Sequence, residues 1–495
     1  MAITFRQLLQ GVETLDAAGL DQGITGVQYD SRQVQPGNIF VCIQGYRTDG
    51  HLYINDALSK GAVGLVIEKD ICPAPGISFA RVNSSRFALA LMSANYYDHP
   101  GEDLTLIGVT GTNGKTTTTH MIEAVLGAGG GLTGIIGTIC NKVGEESLPV
   151  ERTTPESLDL QVLLAKMKAA KVKTVSMEVS SHALSLQRVA ACPFDVGVFT
   201  NITQDHLDFH RDMEEYLAAK MLLFEGLGRD RSKERPCYAV INSDDEAAQR
   251  IINCTRAPVL TYGIHSDADV KAGQVRLTSE GSSFVVSYSK GDFPIITHLP
   301  GEFNVYNSLA AISVGLREGM AVDAIREAIE KMKGVPGRFE VVDEGQKFTV
   351  VVDYAHTPDG LENVLKTARR IAGGRLITVF GCGGDRDAGK RPIMGRISGE
   401  RSDYTVITSD NPRSEDPEKI EEQIEAGLRR IENACYTVIT DRRQAIRHAL
   451  LRAGEGDFVV IAGKGHETYQ VVGSDVLPFD DRQVAREILV KEIGI

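Results

Sequence analysis

The chain has 495 residues, of which 42% are hydrophobic and 24% charged, and it carries a formal net charge of −13. These values are typical of a soluble globular protein, and the length predicts about three domains. The acidic balance disfavours nucleic acid as the main partner, because a phosphate backbone binds a basic surface.

Two further features of the composition indicate a cytoplasmic protein. The eight cysteines contain no CxxC pair, as expected in a reducing compartment. The first residues, MAITFRQLLQGVETL, show no basic segment followed by an apolar one, and no apolar run reaches about 18 residues. We therefore expect neither a signal peptide nor a membrane span.

The first two thirds of the chain divide into two blocks. Residues 1–100 mix short strands with turns, and HPGED at 99–103 is typical of a linker. From Leu104 onward, the apolar strands LTLIGV, VKTVSME, FDVGVFTNI and CYAVIN alternate with helical stretches, which predicts a parallel sheet covered by helices. Alternating strands between 258 and 300 predict an antiparallel edge, and we expect a helix after the EFNVYN stretch.

A second alternating series begins after the Gly- and Pro-rich segment at 333–340. Its predicted strands are FTVVVDYAH, RLITVFGCGG, YTVITSDNPR, CYTVITDRR and DFVVIAGKGHE. The fragment YTVIT occurs at 404–408 and again at 436–440, which we interpret as two similar strands of one sheet. Nearly every strand runs out into a polar or glycine-rich segment, and ligands of open α/β sheets bind beyond the carboxyl ends of the strands.

A glycine-rich loop follows the strand LTLIGV and opens a helix. Its residues are Thr110, Gly111, Thr112, Asn113, Gly114, Lys115 and Thr116. Such a loop turns backbone N–H groups toward phosphates, with Lys115 on the β- and γ-phosphates and the Thr116 hydroxyl on Mg²⁺. The GxxxxGK[ST] pattern is not met in full, because Val109 stands where its first glycine belongs. The alternative is a glycine-rich turn that binds no nucleotide.

Two acidic segments in the same block are candidates for a metal. Glu178 ends the strand VKTVSME, where the metal-side acid of a phosphate-loop fold lies. The segment NITQDHLDFH at 201–210 places Asp205, His206, Asp208 and His210 within six residues after the strand FDVGVFT. A lone histidine in a loop is usually a surface residue, but this density favours a metal role.

The tetrapeptide Asp410, Asn411, Pro412 and Arg413 follows the strand YTVIT. One interpretation is a simple turn, since Asp, Asn and Pro all initiate turns. The other is a clamp for a ligand that carries both charges, with Asp410 facing an ammonium and Arg413 facing a carboxylate. The spacing alone does not decide between the two.

Motifs along the whole chain resemble those of the Mur ligase family, the ATP-dependent amino-acid ligases of peptidoglycan precursor synthesis. The matching stretches are TGTNGKTTTT, MEVSSHAL, NITQDHLDFH, EYLAAKMLLF, EFNVYNSLAA, PGRFE, DYAHTPD and GKGHE. YDSRQVQPGNIFVCIQGYRTDGH at 29–51 and FGCGGDRDAGKRP are similar to the member that adds the third peptide residue. In that member the tetrapeptide Asp-Asn-Pro-Arg accompanies the use of meso-diaminopimelate, so the resemblance favours the clamp.

The resemblance implies three α/β domains: a UDP-sugar domain at 1–100, a central ATP domain with a phosphate loop at 101–335, and a Rossmann-like amino-acid domain at 336–495. It implies that residues 110–116 hold ATP, that Glu178 and His206 are metal-side ligands, and that Lys220 is carbamylated and holds a second Mg²⁺. Helical pattern alone predicts Lys220 as a solvated residue. The further implied sites are adenosine and phosphate positions Asn307, Arg338 and Asp353, muropeptide positions Ser31, Thr153, Thr154, Ser180 and Arg188, and diaminopimelate positions Arg386, Asp410, Asn411, Pro412, Arg413, Gly463 and Glu467.

The activity that the resemblance implies is ligation of meso-diaminopimelate to the D-glutamate of a UDP-sugar dipeptide, by a monomer acting on small molecules. Two departures from the family pattern concern the muropeptide contacts, at Arg152 and at Leu186. The alternatives are an L-lysine-adding member, a folylpolyglutamate synthase-like ligase and a non-catalytic ATP-binding scaffold. The tetrapeptide at 410–413 argues against the lysine-adding member, and the N-terminal block of about 100 residues argues against the folylpolyglutamate synthase-like ligase. The full set of reacting residues argues against the scaffold.

Overall fold

The structure is a computed structural model that describes residues 3–45, 48–71, 73–150, 152–207, 209–228, 233, 235–278 and 280–494. Its strands form three main sheets, each covered by helices, which confirms the predicted three-part α/β architecture. The domain boundaries given above stay a prediction. Within the described ranges, no helix is long and apolar enough to cross a bilayer.

The first sheet has the strand order β2-β7-β6-β5-β4, parallel except for the antiparallel pair of β2 and β7. The strands of this part are β1 (Ile3–Thr4), β2 (Thr14–Ala18), β3 (Gly23–Ile24), β4 (Gly26–Gln28), β5 (Asn38–Val41), β6 (Gly64–Ile67) and β7 (Ser78–Val82). The helices are α1 (Phe5–Leu8), α2 (Ile54–Ser59) and α3 (Ser85–Tyr96). The predicted linker at 99–103 forms a short 3₁₀ turn, Pro100–Asp103.

The central sheet runs β11-β10-β9-β12-β8-β13-β14-β15-β16-β17-β18, with a parallel middle and antiparallel edges. Its strands are β8 (Thr105–Thr110), β9 (Thr133–Ile136), β10 (Asn141–Val143), β11 (Glu146–Leu148), β12 (Thr174–Glu178), β13 (Val196–Phe199), β14 (Tyr238–Asn242), β15 (Val259–Gly263), β16 (Val270–Thr278), β17 (Gly281–Tyr288) and β18 (Gly291–Thr297). Its helices are α4 (Lys115–Gly127), α5 (Ser157–Ala169), α6 (Ser181–Ser185), α7 (Met213–Gly226), α8 (Ala248–Cys254), α9 (Glu302–Arg317) and α10 (Val322–Lys331). The antiparallel edge predicted between 258 and 300 is confirmed.

One helix start differs from the sequence prediction. We expected a helix after EFNVYN, but α9 begins at Glu302 and includes that stretch. Val305, Leu309 and Ile312 recur at helical spacing and are fully buried, so the stretch belongs to the apolar face of the helix.

The third sheet runs β19-β20-β24-β21-β22-β23, parallel except for β19, and β25 and β26 form a separate hairpin. The strands are β19 (Glu340–Val341), β20 (Thr349–Asp353), β21 (Leu376–Phe380), β22 (Tyr404–Ile407), β23 (Tyr436–Val438), β24 (Phe458–Ala462), β25 (Tyr469–Val472) and β26 (Asp475–Pro478). The helices are α11 (Pro358–Ile371), α12 (Lys390–Arg401), α13 (Pro417–Leu428), α14 (Arg442–Arg452) and α15 (Asp481–Ile488). The two YTVIT strands, β22 and β23, pair directly.

A fully buried ion pair ties two strand ends of the third sheet together. Arg442 Nη2 lies 2.7 Å from Asp481 Oδ2, and both side chains are 0% exposed. The same guanidinium donates to the carbonyl of Ser409, after β22, and to that of Ala462, the last residue of β24. This pair therefore supports the polar segments that follow both strands.

Candidate active site

A cavity of about 850 Å³ lies beyond the carboxyl ends of the central strands. It brings together predicted nucleotide, metal and muropeptide residues with one predicted diaminopimelate residue, Arg386. The predicted site residues among its lining are Thr112, Asn113, Gly114, Lys115, Thr116, Glu178, His206, Lys220, Asn307, Arg338, Asp353, Thr153, Thr154, Ser180, Arg188 and Arg386. Ser31 and the remaining predicted diaminopimelate residues lie elsewhere.

The glycine-rich loop joins β8 to α4 in the geometry expected of a phosphate loop. Gly111 has φ +150° and Gly114 has φ +84°. A Cβ at Gly111 would lie 1.9 Å from Thr200 Oγ1, so this position requires glycine. Lys115 Nζ donates to the loop's own carbonyls, at 3.0 Å to Gly111 and 2.8 Å to Thr112.

Lys220 and Lys115 donate hydrogen bonds to the same backbone carbonyl, that of Gly111. Lys220 lies on α7, is 1% exposed, and donates from Nζ to the Gly111 carbonyl at 2.9 Å. Its Nζ also lies 4.2 Å from the ring centre of Tyr216. Burial and the nearby charge of Lys115 hold the pKa of Lys220 well below its usual value. Both effects disfavour the ammonium form of Lys220.

Glu178 and Thr116 form a compact group of oxygens at the start of α4. Thr116 Oγ1 donates to Glu178 Oε2 at 3.0 Å and accepts from Arg338 Nη2 at 2.9 Å. The other carboxylate oxygen of Glu178 accepts from the Thr138 N–H at 2.7 Å. A buried carboxylate beside a hydroxyl, at the mouth of a phosphate loop, is a donor set that suits a hard cation.

His206 also lines the cavity and has φ +56°. Its Nε2 is 3.4 Å from Asp205 Oδ2, and its ring meets His182 edge-on with centroids 4.7 Å apart. Burial alone would raise the pKa of Asp205, but the nearby His206 and His356 lower it. Asp208 lies outside the described residues. Across the described ranges, no group of three or more His, Cys, Asp or Glu side chains is placed to hold a metal.

Asn307 and Asp353 shape the nucleotide side of the cavity. Asn307 Oδ1 accepts from Thr118 Oγ1 at 3.1 Å, which links α9 to α4. Asp353 ends β20, and its two oxygens accept from the N–H groups of Phe339 and Ala355 at 2.6 and 2.7 Å. Burial raises the pKa of Asp353. Asn307 thus joins two helices beside the cavity, and Asp353 holds the backbone at its edge.

Three of the predicted muropeptide residues, Thr154, Ser180 and Arg188, form one hydrogen-bonded patch. Thr154 Oγ1 donates to the Glu178 carbonyl at 2.8 Å, and Arg188 Nη1 donates to the Thr154 carbonyl at 3.1 Å. Ser180 caps α6 by accepting from the Ala183 N–H. Arg188 Nε lies 3.3 Å from the buried carboxylate of Glu156.

The two departures from the family pattern both line this cavity. Arg152 is half exposed and lies 3.9 Å from Glu156. Leu186 lines the wall itself, while the neighbouring Gln187 turns away and accepts from Ser84 Oγ of the first domain at 2.8 Å. Ser31 is buried in a short turn of the first domain.

The tetrapeptide after β22 forms a further group of polar residues in the third domain, and its Arg413 and the cavity residue Arg386 both lie beside Gly383. Asp410 Oδ1 accepts from the Asn411 N–H at 2.7 Å, whereas its buried Oδ2 accepts no hydrogen bond from the described residues. Arg413 has φ +53° and donates from Nη1 to the Gly384 carbonyl at 2.8 Å. A Cβ at Gly463 would lie 2.7 Å from Asp410 Oδ2, so a side chain at this position would crowd the carboxylate.

Two residues behind this site were missed by the sequence analysis. Lys464 is fully buried and donates from Nζ to Asn411 Oδ1 and Glu467 Oε2, both at 3.0 Å. Gln470, on β25, donates from Nε2 to the Asp410 carbonyl at 2.6 Å. The GKGHE motif contains Lys464 and could have indicated a role for it. A lysine in a loop is normally solvated, so the sequence alone did not predict its burial.

The linker into the third domain packs tightly on the GKGHE loop. A Cβ at Gly337 would lie 2.0 Å from the backbone nitrogen of His466, and a Cβ at Gly465 would lie 2.7 Å from the Gly337 carbonyl oxygen. The next linker residue, Arg338, reaches Thr116. The linker therefore touches both the phosphate loop and the loop behind the tetrapeptide.

Three family models match the chain. The Mur ligase middle domain covers residues 109–315, the Mur ligase glutamate ligase domain 337–465, and the Mur ligase family catalytic domain 23–96. A curated relative from Syntrophomonas wolfei, named UDP-N-acetylmuramoyl-L-alanyl-D-glutamate–2,6-diaminopimelate ligase, is 49% identical over 470 residues, 95% of each chain.

Solved structures extend this comparison to the fold. A structure of a ligase with the same name as that relative matches with TM-score 0.71 and 33% identity over 100% of both chains. A Mycobacterium tuberculosis folylpolyglutamate synthase complexed with ADP and AMPPCP matches with TM-score 0.61 and 19% identity, over 82% of this chain and 95% of that one, which shows a shared fold alone. With its domain models in this order and a relative of such identity along nearly its whole length, the chain belongs to the Mur ligase family.

Proposed function

We propose that the protein ligates meso-diaminopimelate to the γ-carboxylate of D-glutamate in UDP-N-acetylmuramoyl-L-alanyl-D-glutamate, with ATP converted to ADP and phosphate. The observation that carries the proposal is the single cavity that joins the phosphate loop, the muropeptide patch and Arg386 of the third domain. The 49% identical relative of that name supports the choice of substrates. We further propose that it works as a cytoplasmic monomer.

The first step forms an acyl phosphate. The γ-carboxylate oxygen attacks the γ-phosphorus of ATP, the bond to the β-phosphate oxygen breaks, and ADP leaves. Both reactants are anionic, so the protein mainly positions them and offsets their repulsion. Lys115 and the loop N–H groups would bind the phosphates, while Thr154 and Arg188, which line the same cavity, would bind the muropeptide.

The residues present fit Mg²⁺ as a companion of the triphosphate. Thr116 and Glu178 would hold it, with His206 and a carbamate on Lys220 at the neighbouring position, and phosphate oxygens would complete each set. When bound, the ions neutralise charge on the phosphates and on the reacting carboxylate. The depressed pKa of Lys220 supports carbamylation, because only a neutral amine attacks CO₂.

The second step forms the amide. The free amine of diaminopimelate attacks the acyl carbon, a tetrahedral intermediate forms, and phosphate leaves with the bonding pair. The distal end of the amino acid is a zwitterion, for which Asp410 would take the ammonium while Arg413 and Arg386 take the carboxylate. L-Lysine has no such carboxylate and would leave these arginines without a partner, which is a strong basis for rejection.

Phosphate release measures the reaction directly. The purified protein would receive ATP, Mg²⁺ and the UDP-dipeptide, with meso-diaminopimelate or L-lysine in parallel. We expect release with diaminopimelate and its loss in Arg413→Ala, while Arg429→Ala, an exposed arginine paired with Glu425, keeps it. Equal phosphate release with L-lysine would contradict the clamp. No phosphate release with either amino acid would favour the two alternatives, a folate-type ligase or a non-catalytic scaffold.

A further inference from the structure

Asp359 is a carboxylate of the third domain that reaches the nucleotide site of the central domain. It lies in the first turn of α11. Its Oδ2 accepts from Asn113 Nδ2 at 2.5 Å and from Thr203 Oγ1 at 2.8 Å. Asn113 belongs to the phosphate loop and Thr203 to the segment after β13, so two separate parts of the nucleotide site meet at one oxygen of another domain.

Both sides of this contact also form hydrogen bonds within their own domains. On its own helix, Asp359 Oδ2 also accepts from Asn363 Nδ2 at 3.1 Å, and the helix amino terminus favours a negative charge. On the loop side, the Asn113 N–H donates to Asn201 Oδ1 at 2.9 Å. Little side-chain entropy remains to be lost when the domains approach, so each bond contributes nearly its full strength.

A second polar contact across this boundary is weaker. Arg370 of α11 pairs with Glu302 of α9 at 2.9 Å, but the side chains are 60% and 36% exposed. Exposed pairs of this kind contribute little. The Asp359 contact is partly buried in the cavity and uses two donors from the central domain, and the bond from Arg338 Nη2 to Thr116 Oγ1 is a further contact between the third domain and the phosphate loop.

We propose that Asp359 is a positioning residue that docks the third domain onto the phosphate loop. This inference rests on the proposed function, in which the third domain must carry the amino acid to the acyl phosphate. The docking donors are a neutral amide and a neutral hydroxyl, so docking requires an acceptor oxygen, and the charge of the carboxylate only strengthens the two bonds. Asparagine at this position keeps the acceptor, and alanine removes it.

Solution scattering tests the docking without any turnover. Radii of gyration would be measured with Mg²⁺ and a non-hydrolysable ATP analogue for the parent, Asp359→Ala, Asp359→Asn and Lys366→Ala. Lys366 lies on the same helix and pairs within its own domain, with Glu362, so it is the matched control. We expect Asp359→Ala to be more extended, and the other two variants to match the parent.

Kinetics provide the second readout. Loss of two hydrogen bonds predicts a fall of about 10- to 100-fold in kcat for Asp359→Ala, with Asp359→Asn within about threefold of the parent. The Kd of ATP from calorimetry should stay within about twofold in Asp359→Asn and Lys366→Ala, which keep Arg338 and Asp353 of the third domain at the nucleotide side of the cavity.

Two results would overturn the docking role. One is a compact Asp359→Ala protein with parental kcat. The other is an equal loss of kcat in both Asp359 variants with compact shapes, which would assign the charge to the chemical step. Failure of the proposed function is distinguishable, since it would appear as no phosphate release by the parent, while the scattering comparison would still decide the docking.

Discussion

The buried pair of Arg442 and Asp481 allows a quantitative prediction for Arg442→Met. In the parent, Nε and Nη2 donate to the two carboxylate oxygens at 2.8 and 2.7 Å. The guanidinium also donates to the carbonyls of Ser409 and Ala462. The variant therefore leaves one carboxylate and two carbonyls in the interior without these donors.

The expected cost follows from these contacts. Removing one partner of a buried ion pair costs about 3–5 kcal/mol, because the other charge stays buried and uncompensated. Asp481 is the first residue of α15, and the helix dipole recovers roughly 0.3–1 kcal/mol of that. We expect a net loss of about 3 kcal/mol in the third domain, which corresponds to roughly a 100-fold larger opening constant.

Hydrogen exchange followed by mass spectrometry resolves this loss by domain, which matters because a chain of three domains need not unfold in one step. Peptides that cover β24 should exchange roughly 100-fold faster in Arg442→Met, and peptides that cover β5 should not change. The matched control is Arg442→Met with Asp481→Leu, which removes both charges and should recover most of the protection.

Two outcomes would refute this reasoning. One is a change in β24 protection below about fivefold, which would mean that the pair contributes under about 1 kcal/mol. The other is a double variant as labile as the single one, which would assign the loss to packing and not to an uncompensated charge.

Burial raises the pKa of Glu421 from 4.5 to about 7, so the stability from its proton is complete below about pH 4.5 and is lost as the pH rises toward 7. Glu421→Gln should therefore be more stable than the parent at pH 8, by roughly 1–3 kcal/mol in the free energy of unfolding, and the difference should be smaller at pH 5. Melting curves that show the same difference at both pH values would contradict this. Lys464→Met leaves Glu467 without its buried cation. Steady-state kinetics should show the KM for diaminopimelate raised about 10- to 100-fold, and calorimetry should show an unchanged Kd of ATP. A weaker ATP affinity would argue against a local effect. Gly111→Ala places a Cβ 1.9 Å from Thr200 Oγ1, and calorimetry should show ATP binding weakened about tenfold or more, so an intact Kd would exclude the clash.

The architecture was predictable because its signals are local. Alternating apolar strands and helical stretches predict parallel sheets, and the glycines at 111 and 114 predict the loop between β8 and α4. The two YTVIT segments could be assigned to one sheet for the same reason. The start of α9 was misplaced because EFNVYN mixes polar and apolar residues, and only packing shows which face of the helix they share.

Much of the site could not be predicted, because it depends on residues far apart in the chain. Periodicity alone would leave Lys220 in solvent, yet α7 packs it beneath the phosphate loop. Lys464 follows the same logic, since its loop folds inward behind the tetrapeptide. Asp359 and Asn113 are 246 positions apart, and no local pattern indicates that they meet.

The glycine-to-glycine contact between the linker and the GKGHE loop has a consequence for recombination among relatives. Gly337 and Gly465 approach with no side chain between them, so neither segment can gain a Cβ while the other keeps its path. A chimera that exchanges amino-acid domains should therefore carry residues 336–340 together with that domain. A crossover placed after residue 340 would combine the linker of one parent with the GKGHE loop of the other at the contact between Gly337 and Gly465. It would also change the surroundings of Arg338.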